Sequence, residues 1–418
     1  MAKPKILWMS QSPNVRTGYG IITREILERL YALDKYDILC QGWQEPLIKD
    51  NPKYPYQSVG SALVPYRLVG TGCDEKADSH EDRHGKKNFT ELEEYFKPDI
   101  VICFADIYFF QWICKHPARK NFHLAGYYPI DGIPIPPVFI DAIRNFDTPI
   151  AYSIFGQKAT AEYIKVDPPM IYHGIDFPFW SADIPVSDRK EFKKQLFGDP
   201  DVFVFGMVAR NQPRKNIPAF IESYMEHYKT HPKSRLLLHM SNVDSGWNIK
   251  QLLAEFRVNP DLVHITNTGV TPKNSISREN LRKIYATMDV HVNTATGEGF
   301  GIPTVESMAC GLPNLITGYS TAPELVKNNN AGELIGIANF FVENGSHIRR
   351  AMISCRHLVQ LMNKCAEDPA WVRKHGANAR RAAVKFDWTN MIPQWEQLID
   401  HMYIESQKAK DAVEYREI

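Results

Sequence analysis

The stretch NTATGEGFGIPTVESMACGLP, from Asn293 to Pro313, leaves a chain few ways to fold. It reads as the end of a strand, a tight glycine loop and the opening of a helix. Gly297, Gly299 and Gly301 let the backbone turn sharply and approach a ligand with no side chain in the way. Pro303 suits the first helical position, and Gly311 with Pro313 gives a stop. Glu298 is then expected in the loop and Glu306 in the first turn of the helix. Free amides at that helix start favour an anion or an electron-rich polyol.

The rest of the chain alternates strands and helices. Lys5 to Ser10 is an apolar strand, followed by a loop holding Gly18 and Gly20. A helix from Ile21 to Leu33 carries Ile22, Ile26, Leu30 and Leu33 on one face. That is the first unit of a doubly wound sheet. Further strands are expected over Tyr36–Gln41, Pro98–Phe104, Phe122–Tyr128 and Thr148–Ser153, with a helix over Ile107–Lys115. Pro46 to Gly72 reads as loops and short strands, and Cys73 to Phe96 as a charged, solvated loop leading into a helix. Met170 to Trp180 looks like the exit into a linker. The pattern restarts with a strand at Val202–Val208 and a helix at Ile217–Tyr228. Strands follow at Arg235–Met240, Leu262–Thr266, Val290–Asn293 and Asn314–Thr317. Ser346 to Ala383 is expected to be helical, and FDWTNMIPQWEQLIDHMYIESQ gives a last amphipathic helix. The fold class is α/β, two successive doubly wound domains with a helical tail.

Size agrees with two domains, since 418 residues are too many for one ordinary core. A net charge of +1 gives no global field toward nucleic acid or an acidic membrane. The seven cysteines are scattered and form no CxxC pair, which argues for reduced thiols and against a disulfide frame or a zinc site. No apolar run of about 18 residues occurs, and the apolar part of MAKPKILWMSQSP is too short for a signal peptide. A cytoplasmic protein is expected.

Three constellations could carry chemistry. Arg210 and Lys215, in MVARNQPRKN, follow the first strand of the second half, where side chains enter the crevice at strand carboxyl ends. A planar fork and a point charge together suit a diphosphate; Arg214 is expected to be a surface residue. Glu298 and Glu306 are paired carboxylates, each able to accept two hydroxyl hydrogen bonds from a sugar diol. Gly18-Tyr19-Gly20 either cradles phosphate or only turns the chain. Thr23 replaces the third glycine of a dinucleotide fingerprint, and no Walker sequence occurs.

MVARNQPRKN, YATMDVHVNTATGEGFGIPTVESMACGLP and HGIDFPFW together resemble the retaining glycosyltransferases of the GT-B fold, family GT4. The shared order is strand-Arg-x4-Lys-Asn, then Glu-Gly-Phe-Gly-x-Pro-x-x-Glu, then Ala-x-Gly-x-Pro. The resemblance is strong over about residues 170 to 330 and weaker over the N-terminal half and the FDW tail. It implies two Rossmann-like domains facing across a cleft: 1–172 for the acceptor and 173–385 for a nucleotide sugar. A C-terminal helix over 386–418 would pack back on the first. Carried over by position, Arg210 and Lys215 would neutralise the donor diphosphate as the glycosidic bond breaks, in place of a metal ion. Glu306 would hold the ribose, while Glu298 and the amides of Gly299, Phe300 and Gly301 would hold the sugar. Gly18 and Gly20 would meet the donor phosphates, and the base would lie along a backbone edge near Asn267 to Val270.

The resemblance also implies transfer with retention, by front-face substitution, with no cofactor and no metal. The partners would be a nucleotide-sugar donor and a glycan, lipid or small-molecule acceptor, with no nucleic acid. Where the family often has histidine after the Phe122–Tyr128 strand, this chain has YYPIDG. Asp131 is therefore the nearest acceptor-side candidate, though it also reads as a turn residue before Gly132; Asp106 is the second. His173 matches a structural linker position. Asn216 and Ala209 stand where relatives commonly have glycine, both in backbone turns. Trp112, Lys115, Arg119 and Lys120 read either as a patch for peripheral membrane contact or as a solvated helix end, the latter favoured. Competing readings are a catalytically silent sugar-nucleotide-binding protein and a phosphorylase or epimerase of the same fold. Acceptor choice is expected in the N-terminal loops, especially Pro46 to Lys87, which carry no readable motif.

Overall fold

The computed structural model describes residues 3–45, 62–71, 73, 78–267 and 276–417. Val270, most of the expected loop from Pro46 to Gly72 and the end of the Asn267–Val270 edge lie outside them. Two compact units result. Met1–Ile130, Ile135–His173 and Thr389–Ile418 form the first, and Asp131–Pro134 with Gly174–Trp388 form the second.

The first unit is built on strands β1 (Lys5–Gln11), β2 (Asp37–Trp43), β3 (Arg67–Gly70), β4 (Ile100–Phe104), β5 (His123–Tyr128) and β6 (Thr148–Ala151). They run parallel in the order β3-β2-β1-β4-β5-β6. All five residues of β4 are buried, as a central strand covered on both faces requires. The first helix starts at Gly18, not Ile21, because Thr17 caps it by accepting the Gly20 amide at 3.2 Å. Gly18 and Gly20 thus occupy the first helical turn and not the loop. A Cβ on Gly20 would lie 2.0 Å from the Val15 carbonyl oxygen, so this glycine lets the loop fold back on the helix.

The expected helix over Ile107–Lys115 is instead two 3-10 turns, Ile107–Phe109 and Ile113–Lys115. Trp112 lies between them, 6% exposed, edge-on to Phe89. A tryptophan held in the core is not available to a bilayer, and Arg119 is engaged by Asp147 at 2.9 Å. The membrane patch therefore lacks its apolar member. The final helix, Trp388–Glu417, returns to the first unit, where Trp395 is fully buried against Trp8 and Tyr127. His173 is buried beside the Tyr127 hydroxyl at 2.8 Å, and burial pushes its imidazole down to about 3. That is a structural histidine.

The second unit repeats the winding. Strands β7 (Phe203–Val208), β8 (Ser234–Ser241), β9 (Val263–Asn267), β10 (Val290–Asn293), β11 (Asn314–Thr317) and β12 (Gly332–Ile335) run in the order β12-β11-β10-β7-β8-β9. The segments at its two ends, HGIDFPFW and FDW, bind each other. Ile175 donates to the Phe386 carbonyl at 2.8 Å, Trp388 donates back to Ile175 at 3.1 Å, and Phe177 donates to Asp387. Gly174 has no side chain because the Trp388 ring would lie 2.4 Å from its Cβ. HGIDFPFW is thus more than a linker exit; Phe177–Ser181 is a short helix.

The region after β11 holds strands that were not expected. Arg349–Ile353, read as part of a helix, is strand β14, paired antiparallel with β13 (Ile337–Val342). A five-residue strand is too short to show a period, and it is a strand because β13 lies beside it. The helices of this region are Cys355–Glu367 and Pro369–Ala383, divided at Asp368, which accepts the Trp371 amide. All seven cysteines are free thiols. Among the described residues no helix is long and apolar enough to cross a membrane.

Candidate functional site

Open parallel sheets bind ligands beyond the strand carboxyl ends, at the point where strand order reverses. In the second unit that point lies between β7 and β10, which are neighbours in the sheet. The chain leaving β7 makes one 3-10 turn, Pro213–Lys215, and reverses at Asn216 with φ 49°. A left-handed φ explains why glycine suits this position, and asparagine is among the side chains that tolerate it. The chain leaving β10 forms the loop that ends at Gly301, with φ 101°, where the helix Ile302–Ala309 begins.

The two loops are tied together. The Thr296 amide donates to the Arg214 carbonyl at 2.7 Å. The buried Thr294 hydroxyl reaches the carbonyls of Lys215 at 2.9 Å and Asn216 at 3.1 Å. Glu298 consequently lies against both cations. Lys215 pairs with Oε1, Arg214 donates to Oε2 at 2.8 Å and to the Gly297 carbonyl at 3.1 Å, and Asn293 donates to Oε1 at 3.2 Å. The Glu298 amide donates to the Ser320 hydroxyl at 2.9 Å, from a serine held at φ 52°. Arg214 is therefore a member of the site and not a bystander on the surface. Its signal in the sequence was only adjacency to Lys215. The turn ending at Asn216 is what sends both side chains toward the β10 loop.

Burial alone would raise the Glu298 carboxyl, but the charges of Lys215 and Arg214 outweigh it and hold the group well below the usual range. Lys215, 6% exposed, is pushed down to about 8 by burial first and by Arg214 second, against the pull of Glu298. The two cations are not Glu298's alone: Asp131 also acts on Lys215, and Glu343 lies within the field of Arg214. Arg210, by contrast, lies outside this cluster. It forms a two-pronged pair with Asp244 at 3.0 and 3.1 Å, half-exposed.

The three glycines serve different ends. A Cβ on Gly297 would sit 2.1 Å from the Asp131 carbonyl oxygen, so that space is filled by the chain itself and not by a ligand. Gly301 is required by its φ. Gly299 is partly exposed, whereas Phe300 is buried and edge-on to Phe386. Glu306 is one turn further along than expected, because the helix opens at Ile302 and its first turn holds no acid. Its Oε2 accepts the buried Tyr285 hydroxyl at 2.9 Å, which orients the carboxylate. Beneath the loop, a recess lined by Asn293, Glu298, Thr304, Thr317 and Ser320 has a volume of ≈ 10 Å³. That is room for one water.

Asp131 sits with the second unit, paired with Arg350 at 2.8 Å. Arg350 also holds Glu343 at 2.8 Å, so this edge of the site carries two carboxylates on one cation. Asp106, in the first unit, hydrogen-bonds Tyr19, whose hydroxyl burial and that carboxylate keep protonated. Among the described residues no group of His, Cys, Asp and Glu is arranged to hold a metal.

Residues 188–339 match the family described as Glycosyl transferases group 1. Sucrose synthase 1 of Oryza sativa subsp. japonica is 26% identical over 209 residues, which is 48% of this chain and 24% of that protein. The chain thus spans about a quarter of such curated relatives. Among solved structures, sucrose-phosphate synthase from Thermosynechococcus elongatus aligns with a TM-score of 0.74 at 18% identity, covering 97% of this chain and 100% of that one. The Anabaena protein HepE, in complex with UDP and glucose, aligns with a TM-score of 0.70 at 18% identity, covering 95% and 100%. At such identities the likeness is one of fold: two Rossmann-like α/β units of the GT-B class.

Proposed function

We propose that the chain, whose residues 188–339 match the glycosyl transferases group 1, transfers a sugar from a nucleoside-diphosphate sugar to an acceptor hydroxyl, with retention and without a metal. One observation carries this reading: Lys215 and Arg214 converge on the single carboxylate of Glu298 at the switch point of the second sheet. Cationic donors held in place are what a departing diphosphate needs. It develops charge as the glycosidic bond breaks, and preoriented cations meet it with little reorganisation. Arg210 joins them once it exchanges Asp244 for phosphate. Glu298, fixed by three donors, and the amides from Gly299 to Gly301 hold the sugar over the loop. Glu306, oriented by Tyr285, takes the ribose hydroxyls. The solved neighbour HepE, bound to UDP and glucose, supports a donor of this class.

The test is nucleoside diphosphate release with a panel of donors and acceptors, with product anomers read by NMR. Release with at least one donor and a retained anomer is expected, undiminished by a chelator. No release with any donor would leave a silent binding protein; inversion, or loss with chelator and rescue by a divalent ion, would overturn the finer claims.

Two further outcomes follow from the donor grip. Glu306→Ala should weaken nucleotide affinity by about tenfold or more, as expected for lost hydrogen bonds to a charged group, read by calorimetry. Unchanged affinity would remove Glu306 from the ribose. Because Lys215 sits near 8 and a diphosphate favours its charged form, binding takes up a proton at alkaline pH. Affinity should therefore fall as pH rises through about 8. A flat titration from about pH 7 to about pH 9 would contradict contact between Lys215 and phosphate.

A further inference from the structure

One edge of the site is formed by an added hairpin. Strand β14 runs along residues 131–134: Arg349 donates to the Ile133 carbonyl at 3.1 Å, and the Tyr319 hydroxyl bridges the Ile133 amide and the Arg349 carbonyl at 3.1 and 3.0 Å. Ala351 donates to the Thr296 carbonyl at 2.9 Å, so the same strand also straps the glycine loop. Arg350 lies between these two attachments. Its side chain is 7% exposed, with Nη1 on Asp131 Oδ1 and Nη2 on Glu343 Oε2, each at 2.8 Å.

We propose that Arg350 is a positioning residue for the transfer: it holds the Asp131 carboxylate beside the glycine loop as the group that receives the acceptor hydroxyl. The proposal rests on the glycosyltransferase reading and adds an acceptor-side role to it. The geometry has three parts. Asp131 is placed by its main chain, since its carbonyl passes against Gly297, next to Glu298. Its carboxylate is placed by Arg350, whose planar fork fixes direction as well as distance. The charges are interleaved: Arg350 carries two carboxylates, and one of them, Asp131, also acts on Lys215. A hydroxyl donating a hydrogen bond to Asp131 would thus lie close to the cations that meet the departing diphosphate. Asp131, 25% exposed at its side chain, stays accessible to that hydroxyl.

Removing the guanidinium should spare the fold, because the backbone links of Ile133, Tyr319 and Ala351 remain. Arg350→Met is expected to lower kcat by about tenfold to a hundredfold, the scale of a misplaced reacting group. Nucleoside diphosphate affinity should stay within about twofold. Arg350→Lys, which supplies charge without the fork, should recover part of the loss. Asp131→Asn should lower kcat similarly, and the double variant should lose little beyond Asp131→Asn alone, since one residue acts through the other. Glu343→Gln serves as a second probe should Arg350→Met fold poorly; it leaves Asp131 paired and is expected to cost less than Asp131→Asn. Full activity of Arg350→Met, losses that multiply in the double variant, or an equal fall in donor affinity would each overturn the proposal. Wild-type protein releasing nucleoside diphosphate while Arg350→Met matches it would refute this inference alone. Wild-type protein inactive with every donor would refute the reading beneath it.

Discussion

Lys215→Ala is expected to slow transfer by about two to three orders of magnitude, the usual cost of removing a preorganised donor to a developing charge. Some stability should be lost as well, because Glu298 is held ionised chiefly by Lys215 and the pair is buried. The diagnostic part is a loss of turnover larger than the loss of folded protein. Glu298 would retain Arg214 and Asn293 as donors in the variant. Turnover and thermal unfolding measured together check this. Unchanged turnover removes the phosphate role, and a collapsed melting temperature with proportionate loss of activity makes Lys215 structural.

Gly297→Ala should be the most damaging single methyl group in the site. Its Cβ would lie 2.1 Å from the Asp131 carbonyl oxygen and 3.1 Å from Arg350 Nη1. The obstacle is backbone, held in place by the bridge to β14, so it has no rotamer by which to yield. One of the two loops must move, at a cost of about 1–3 kcal/mol. For a domain of this size that lowers Tm by about 2–4 °C per kcal/mol. The displaced loop carries Glu298, so transfer should fall by about tenfold or more on the scale of a misplaced group. A variant with wild-type Tm and turnover would mean that the two loops are not in contact in solution.

Much of this arrangement was legible before the fold. The glycine run after an apolar strand announced a loop between strand and helix, and the two glutamates around it announced hydrogen-bond acceptors. Lys215 could be placed at a strand carboxyl end by alternation alone. The errors have a common cause. Arg214 was misread because two adjacent cations look alike until the backbone at Asn216 sets their direction. Strand β14 was misread as helix because its identity comes from β13, not from its own five residues. Gly297 was read as room for a ligand, whereas the room is taken by Asp131, far away in sequence.

By itself, then, the sequence determined two wound α/β units, the loop from Asn293 to Gly301 and the charged residue types gathered around it. Periodicity, glycine geometry and strand ends are local properties, and local properties can be read along a chain. The tertiary structure alone decided which charges share a carboxylate, that Arg210 stands apart on Asp244, and that Arg350 meets Asp131. Those pairings join segments remote in sequence. No spacing records them, because they depend on where parallel strands bring their carboxyl ends together.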